Sequence, residues 1–260
     1  MNAPLRHAGT RHLIFIHGGG VGPWMWDRQR QYFSTDFTVH TPTLPGHDPA
    51  SRTRYFSHSH AAAAIAAQIG IRELTGEVTV VGFSAGGQVA IELATLFPGH
   101  INRTVVVSSL VSPWRSAPLL AHVAGLAAPL AQIRGFARAQ ARQLVIPDAH
   151  LDAYLLLSRS LARQSLVNLM RANFAFHLPA DFVDSPHPVL LVAGTAEQKR
   201  LITDLHRLSA RLHRGSFSMI NGVAHGAPLA AASQFNSVLA NWLDSPIVTR
   251  SDDKTDGSPG

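Results

Sequence analysis

The sequence predicts an α/β fold: a mostly parallel central sheet flanked by helices, with a helical insert over it as a lid. Three observations predict this. Short apolar runs alternate with helical stretches along the whole chain. Glycine-rich turns follow two of those runs, as they do where buried parallel strands end. Residues 112–185 carry helical patterning only and separate two runs of one series.

Residues 12–16 are a short apolar run that empties into His17-Gly18-Gly19-Gly20, a strand followed by a glycine loop. Residues 37–41 predict a second strand, after which Pro42-Thr43-Leu44-Pro45-Gly46-His47 turns away. Ala61 to Leu74 is alanine-rich and predicts a helix, and residues 78–81 predict a third strand. Val89, Ala90, Leu93, Ala94 and Phe97 recur at helical spacing, so a helix covers 86–97 and stops at Pro98-Gly99. Strands follow at 104–108, 188–193 and 217–220, and helices at 201–212 and 234–243. Residues 1–111 and 186–243 thus form one core. Residues 112–185 form a helical cap of three or four helices, joined at Pro129, Pro147 and Ser165. Residues 244–260 are polar, with Pro and Gly, and predict a disordered tail. No internal repeat is visible.

Composition narrows the function. Among 260 residues, 46% are hydrophobic and 15% charged, enough apolar material for a large core. There is no cysteine, which excludes disulfides, thiolate zinc sites and a cysteine nucleophile. The net charge of +6 raises the question of nucleic acid or an anionic surface. The arginines are scattered, however, with no block of like charges and no matching motif, so neither nucleic acid nor membrane is an expected partner. The apolar run Leu13 to Ile16 is too short for a signal-peptide core or a membrane span, and a cytoplasmic location is expected. No metal-ligand spacing or dinucleotide fingerprint follows a strand, so no cofactor is expected. Oligomeric state leaves no trace in the sequence.

The chemistry centres on Gly82-Phe83-Ser84-Ala85-Gly86. A serine hydroxyl is a poor nucleophile until a base takes its proton, and it must stand clear of the sheet for a carbonyl to reach it. A sharp strand-to-helix turn does this and needs minimal side chains two residues before and two after the serine. Ser84 is therefore the candidate nucleophile. The helix after it aims its amino end at the site, and the Ala85 N–H is a natural donor to a developing oxyanion. A second donor is expected from the loop after the first strand: Gly19, with Gly20 as the alternative. His17 braces that loop rather than ionising. The base must be a histidine, and there are 15. His225, in Gly222-Val223-Ala224-His225-Gly226, lies between a short strand and the last helical region, on a loop at the carboxyl edge of the sheet. The third member should orient that imidazole from the end of another strand. Glu197 is the first acid after 188–193; Asp204 reads as a solvated face, and Asp181 and Asp184 lie at the strand's wrong end.

With Ser84, Glu197 and His225 in that order, residues 12–243 resemble the α/β-hydrolase superfamily, in its esterase, C–C hydrolase and haloperoxidase-like branch. The resemblance rests on the glycine loop at 17–20 followed by Trp26, the turn at 42–47, residues 82–98, residues 189–197 and the His225 loop. In that family the turn usually reads Pro-Asp-Leu-Pro-Gly-His-Gly; here Thr43 and Asp48 replace the acid and the last glycine. The family acid is most often Asp, whereas here it is Glu197.

Expected pocket residues are Trp24, Met25, Phe83, Leu110, Trp114, Phe136, Phe174 and Val223, with Phe176 beside them. They are mostly apolar and point to a small, uncharged, apolar-leaning substrate; Arg115 and Arg138 are the candidates for an anion clamp. The expected function is a serine hydrolase that cleaves an ester or lactone through an acyl-serine intermediate. A C–C hydrolase or lyase on the same triad, and a non-enzymatic small-molecule receptor of the same fold, are the alternatives.

Overall fold

A computed structural model describes residues 10–114, 119, 123, 130 and 133–246. Six strands form one sheet: β1 (Arg11–Ile16), β2 (Thr38–His40), β3 (Glu77–Phe83), β4 (Arg103–Val107), β5 (Val189–Gly194) and β6 (Gly215–Ile220). Their order across the sheet is β2-β1-β3-β4-β5-β6, and every neighbouring pair is parallel. The chain winds one way from β1 to β2 and the other way from β3 onward. The switch point therefore falls between β1 and β3, where a crevice opens at the carboxyl ends of the strands.

Strand pleating sorts the core into two layers. Ile14, Ile16, Val78, Val80, Val106, Leu191 and Ala193 face one side. Leu13, Phe15, Val81, Phe83, Val105, Val107, Leu190 and Val192 face the other. Both faces are covered, which is why the strands read as continuous apolar runs rather than alternating ones. The first face packs against α2 (His58–Ile69), α3 (Ala85–Leu96) and α8 (Lys199–Arg211). The second packs against α1 (Asp27–Phe33), the short α9 (Ala227–Ala230) and α10 (Ala232–Leu243).

The insert supplies α4 (Arg134–Gln143), α5 (Asp148–Ser160), α6 (Arg163–Phe174) and α7 (Ala180–Val183). Ala137, Ala141, Tyr154 and Leu155 join the core of one sheet face, while Leu169 and Phe182 join that of the other. Pro147 does mark a helix start, since it caps α5. Ser165 is not a junction. It lies inside α6, fully buried, and its Oγ accepts the Tyr55 N–H at 3.2 Å. The break falls at Leu161 and Ala162, whose extended backbone separates α5 from α6. Pro129, Arg115 and residues 247–260 lie outside the described residues.

Two helical boundaries differ from expectation for local reasons. The alanine-rich stretch starts at His58, where Ser57 Oγ caps the His60 N–H, and ends at Ile69, because Gly70 turns left-handed at φ 61°. The helix α1 and the turn at Pro23–Trp26 before it have no counterpart in the sequence reading. Their apolar period is masked by Gln29, which is buried but polar. Its Nε2 donates to Pro228 O and Asn236 Oδ1. Among the described residues no helix is long and apolar enough to cross a membrane.

Candidate active site

Ser84 follows the last residue of β3 and caps α3, with φ 55° and ψ −122°. A non-glycine residue at this φ is strained by about 1–3 kcal/mol. The turn is held by one ladder bond that runs past the strand, Ser84 N–H to Val107 O at 2.8 Å, and by a local turn bond, Gly87 N–H to Ser84 O at 2.9 Å. The flanking glycines are required by space. A Cβ on Gly82 would lie 2.1 Å from Gly86 O, and one on Gly86 would lie 2.4 Å from His17 O. The Ser109 hydroxyl fastens the turn further by donating to Ser84 O at 2.7 Å.

His225 comes to this serine from the loop after β6. Its Nε2 lies 3.1 Å from Ser84 Oγ, so the hydroxyl can donate to it. Its ring packs on Phe83, with centroids 4.9 Å apart. The other ring nitrogen, Nδ1, lies 3.8 Å from Glu197 Oε2. The glutamate side chain is 2% exposed, whereas the histidine is 42% exposed. The second carboxylate oxygen, Oε1, accepts the Ser108 hydroxyl and, at 3.5 Å, the Gly194 N–H. A buried carboxylate so placed favours the imidazolium that forms when His225 takes a proton. The structure thus brings Ser84, His225 and Glu197 together at the ends of β3, β5 and β6.

The glycine loop after β1 lies against the serine turn: a Cβ on Gly18 would sit 2.9 Å from the Phe83 ring. Two buried histidines fix the loop. His17 Nε2 accepts the Leu44 N–H at 3.0 Å, and its Nδ1 donates to Gly18 O. His47 Nε2 accepts the Gly20 N–H at 3.0 Å, and its Nδ1 donates to Pro45 O. Burial lowers the pKa of His17 to about 3, with His47 nearby adding to the shift, and lowers that of His47 to about 4. Both are neutral near pH 7 and serve as braces. The bond to His47 occupies the Gly20 N–H, which removes it as an oxyanion donor. Among the described residues no protein acceptor takes the N–H of Gly19 or of Ala85.

This arrangement of elbow, base and glycine loop also marks a family. The sequence profile of the Alpha/beta hydrolase family matches residues 13–238. The chain belongs to that family. Among curated hydrolases of this type, the pimeloyl-[acyl-carrier protein] methyl ester esterase of Aromatoleum aromaticum is 33% identical over 99 residues, which is 37% of this chain and 36% of that relative. The match therefore spans about a third of the curated relative. Among solved structures, MenH from S. aureus superimposes with a TM-score of 0.74 at 16% identity, covering 93% of this chain and 96% of that one. A thermophilic esterase from Thermogutta terrifontis gives 0.73 at 17% identity, covering 90% of each chain. At those identities the two structures establish the α/β-hydrolase fold.

A cavity of about 140 Å³ opens beside the glycine loop. It is lined by Gly19 and Gly20, by Leu144, Leu161, Leu166 and Met170, and by the polar Gln140, Tyr154, Ser158 and Arg163. None of the eight residues expected to line a pocket lines this one. Met25 is buried in the core behind the loop. Trp24 stacks on His150 at 5.1 Å. Phe83 supports His225, Leu110 packs on the α3 side of the core, and Val223 O accepts the Ala196 N–H. Trp114 pairs with Phe174 at 6.0 Å and lies under the Arg200 guanidinium. Phe136 is 40% exposed.

Sequence reasoning missed Ser108 and Ser109, which hold Glu197 and the serine turn. The signal was present as two serines at the carboxyl end of β4, next in register to Ser84. It also missed the face of α5 that carries Tyr154 and Ser158, two polar residues one turn apart in an apolar helix.

Proposed function

We propose that this chain is a serine carboxylic ester hydrolase that cleaves a small, apolar-leaning ester or lactone. The observation that carries the reading is the His225 Nε2 to Ser84 Oγ distance of 3.1 Å at a serine held in a strained strand-to-helix turn. His225 takes the Ser84 proton as Oγ bonds to the ester carbonyl carbon, and the carbonyl π pair moves to its oxygen. The N–H groups of Ala85 and Gly19 receive that oxyanion, an interaction worth about 3–4 kcal/mol per donor in comparable sites. The oxyanion collapses, the C–O bond to the alcohol breaks, and His225 protonates the leaving oxygen. Water then repeats the sequence on the acyl-serine, with His225 as its base, and the carboxylic acid departs.

Glu197 holds His225 in the tautomer that accepts from Ser84. The 3.8 Å gap between them is the loose spacing expected without substrate. The insert acts as a lid over this machinery. In support, Leu169 of α6 lies so close over the loop that a Cβ on Gly19 would meet it at 2.5 Å. Gln88, in the first turns of α3, also ties the nucleophile helix to the end of α6 by donating to Asn173 O at 3.0 Å and to Leu110 O at 2.8 Å. The ester-hydrolase name of the Aromatoleum relative agrees with the reading.

The test compares hydrolysis of p-nitrophenyl acetate and butyrate by the protein and by Ser84→Ala, with fluorophosphonate labelling of both. Turnover and labelling that vanish together in Ser84→Ala are expected. Equal activity in the two proteins refutes the serine mechanism. Inactivity of both, with tight binding of a small molecule, favours the receptor alternative.

A further inference from the structure

The cavity beside Gly19 is a site with a polarity of its own. Its near end is the oxyanion loop and its walls are Leu144, Leu161, Leu166 and Met170. Its polar side chains are arranged so that the donor end of one carboxamide remains unspent. The Ser158 hydroxyl donates to Tyr154 O at 2.9 Å, one turn back on its own helix. The Tyr154 hydroxyl, whose pKa burial raises further above neutrality, donates to Gln140 Oε1 at 3.5 Å. That uses the acceptor end of the Gln140 carboxamide. Its NH₂ end donates to no protein acceptor among the described residues.

The position of His225 then decides which half of an ester enters. The leaving alcohol must face the imidazole that protonates it. His225 does not line the cavity, and 42% of its side chain is open to solvent. The acyl half, bonded to the carbon whose oxygen lies at Gly19, is left to enter the cavity, while the alcohol leaves past His225 toward solvent. Size sets the limit, since a cavity of about 150 Å³ holds one benzene ring, about six heavy atoms.

We propose that the cavity is an acyl subsite for a short chain of about six heavy atoms with a hydrogen-bond-accepting oxygen at its far end, held by Gln140. It rests on the ester-hydrolase reading. The enzyme is therefore selective for the acid part of its substrate and tolerant of the alcohol part.

The experiment measures kcat/KM of the full chain on p-nitrophenyl esters from acetate to decanoate, on p-nitrophenyl 5-oxohexanoate against hexanoate, and on methyl, butyl and octyl butyrate. Rates should fall by at least about tenfold per added methylene beyond hexanoate. They should vary less than about tenfold across the three alcohols. The oxo ester should exceed hexanoate, and Gln140→Leu should cut that ratio by about tenfold. Leu161→Ala, which enlarges the apolar wall, should move the length limit outward. Rates that keep rising to decanoate, alcohol length that matters as much as acyl length, or an unchanged oxo preference in Gln140→Leu would overturn the subsite. In each of those cases Ser84-dependent cleavage of the acetate would still stand. Loss of all ester cleavage would overturn the underlying reading and the subsite with it.

Discussion

Acid should weaken this protein through the histidines that brace the glycine loop after β1. His47 is held neutral by burial down to about pH 4, against about 6.5 in an unfolded chain. Below pH 6.5 the unfolded state therefore binds a proton at this position that the folded state refuses. Its stabilising effect is complete above pH 6.5 and is lost as pH falls toward 4. A gap of about 2.5 units corresponds to about 3 kcal/mol. His17, neutral down to about 3, acts in the same direction. A typical domain has about 5–15 kcal/mol in total, so the pair removes a large share of it. The perturbation is His47→Gln, whose carboxamide oxygen replaces the acceptor of the Gly20 N–H without titrating. Urea unfolding at each half unit from pH 7 to 4 should show the wild type losing stability more steeply than the variant. The difference should approach one proton, about 1.4 kcal/mol per pH unit. Carboxylates titrate equally in both proteins and cancel. Identical slopes would refute the assignment of His47 as a buried neutral brace.

Three further outcomes are expected. Glu197→Gln should lower turnover about 10³–10⁴-fold, since an amide orients the imidazole without stabilising its cation; stopped-flow or steady-state ester hydrolysis checks it, and an unchanged rate would move the acid elsewhere. Ser108→Ala, which strips the hydroxyl from Glu197 Oε1, should lower kcat about ten- to hundredfold, measured beside circular dichroism to confirm folding. Gly19→Ala should impair activity by pressing on Leu169, whose Cδ2 would lie 2.5 Å from the new Cβ, and the double variant with Leu169→Ala should recover much of it. Purely additive losses in that double variant would show that the two residues do not meet.

Legibility followed the physics of each part. The strands and the elbow were readable because their constraints are local. Buried parallel strands must be apolar throughout, and a serine turn in which a Cβ on Gly82 or Gly86 would lie under 2.5 Å from backbone admits nothing larger. The meeting of His225 and Glu197 with Ser84 was readable by position, because a parallel sheet gathers strand ends on one edge. The lining of the cavity beside Gly19 was not readable. Its walls come from the insert, whose packing onto the sheet edge no local pattern encodes. Phe136 and Trp114 lie outside this cavity, whose lining includes Leu161, Leu166, Met170 and Gln140. The helix α1 was hidden because its buried contact is an amide, Gln29, in place of an apolar side chain.

Two adjacent strands end in the same unusual way, and this links Ser84 to Glu197. Phe83 pairs with Val107 in register, so Ser84 and Ser108 are the next residues on neighbouring strands. Both keep a ladder bond, Ser84 N–H to Val107 O and Ser108 N–H to Val192 O, each at 2.8 Å. Both then turn left-handed, at φ 55° and 52°. Val145 is the one other non-glycine residue with positive φ among those described. Each serine left-handed turn stores about 1–3 kcal/mol, which persists because the sheet over-determines the backbone on either side. The first turn lifts the Ser84 hydroxyl out of the sheet toward His225. The second directs the Ser108 hydroxyl at Glu197 Oε1, which leaves Oε2 for the imidazole. A glutamate, one methylene longer than the family's usual aspartate, is fixed in this way from its far oxygen. The position of Glu197 thus depends on strain at β4 as much as that of Ser84 depends on strain at β3.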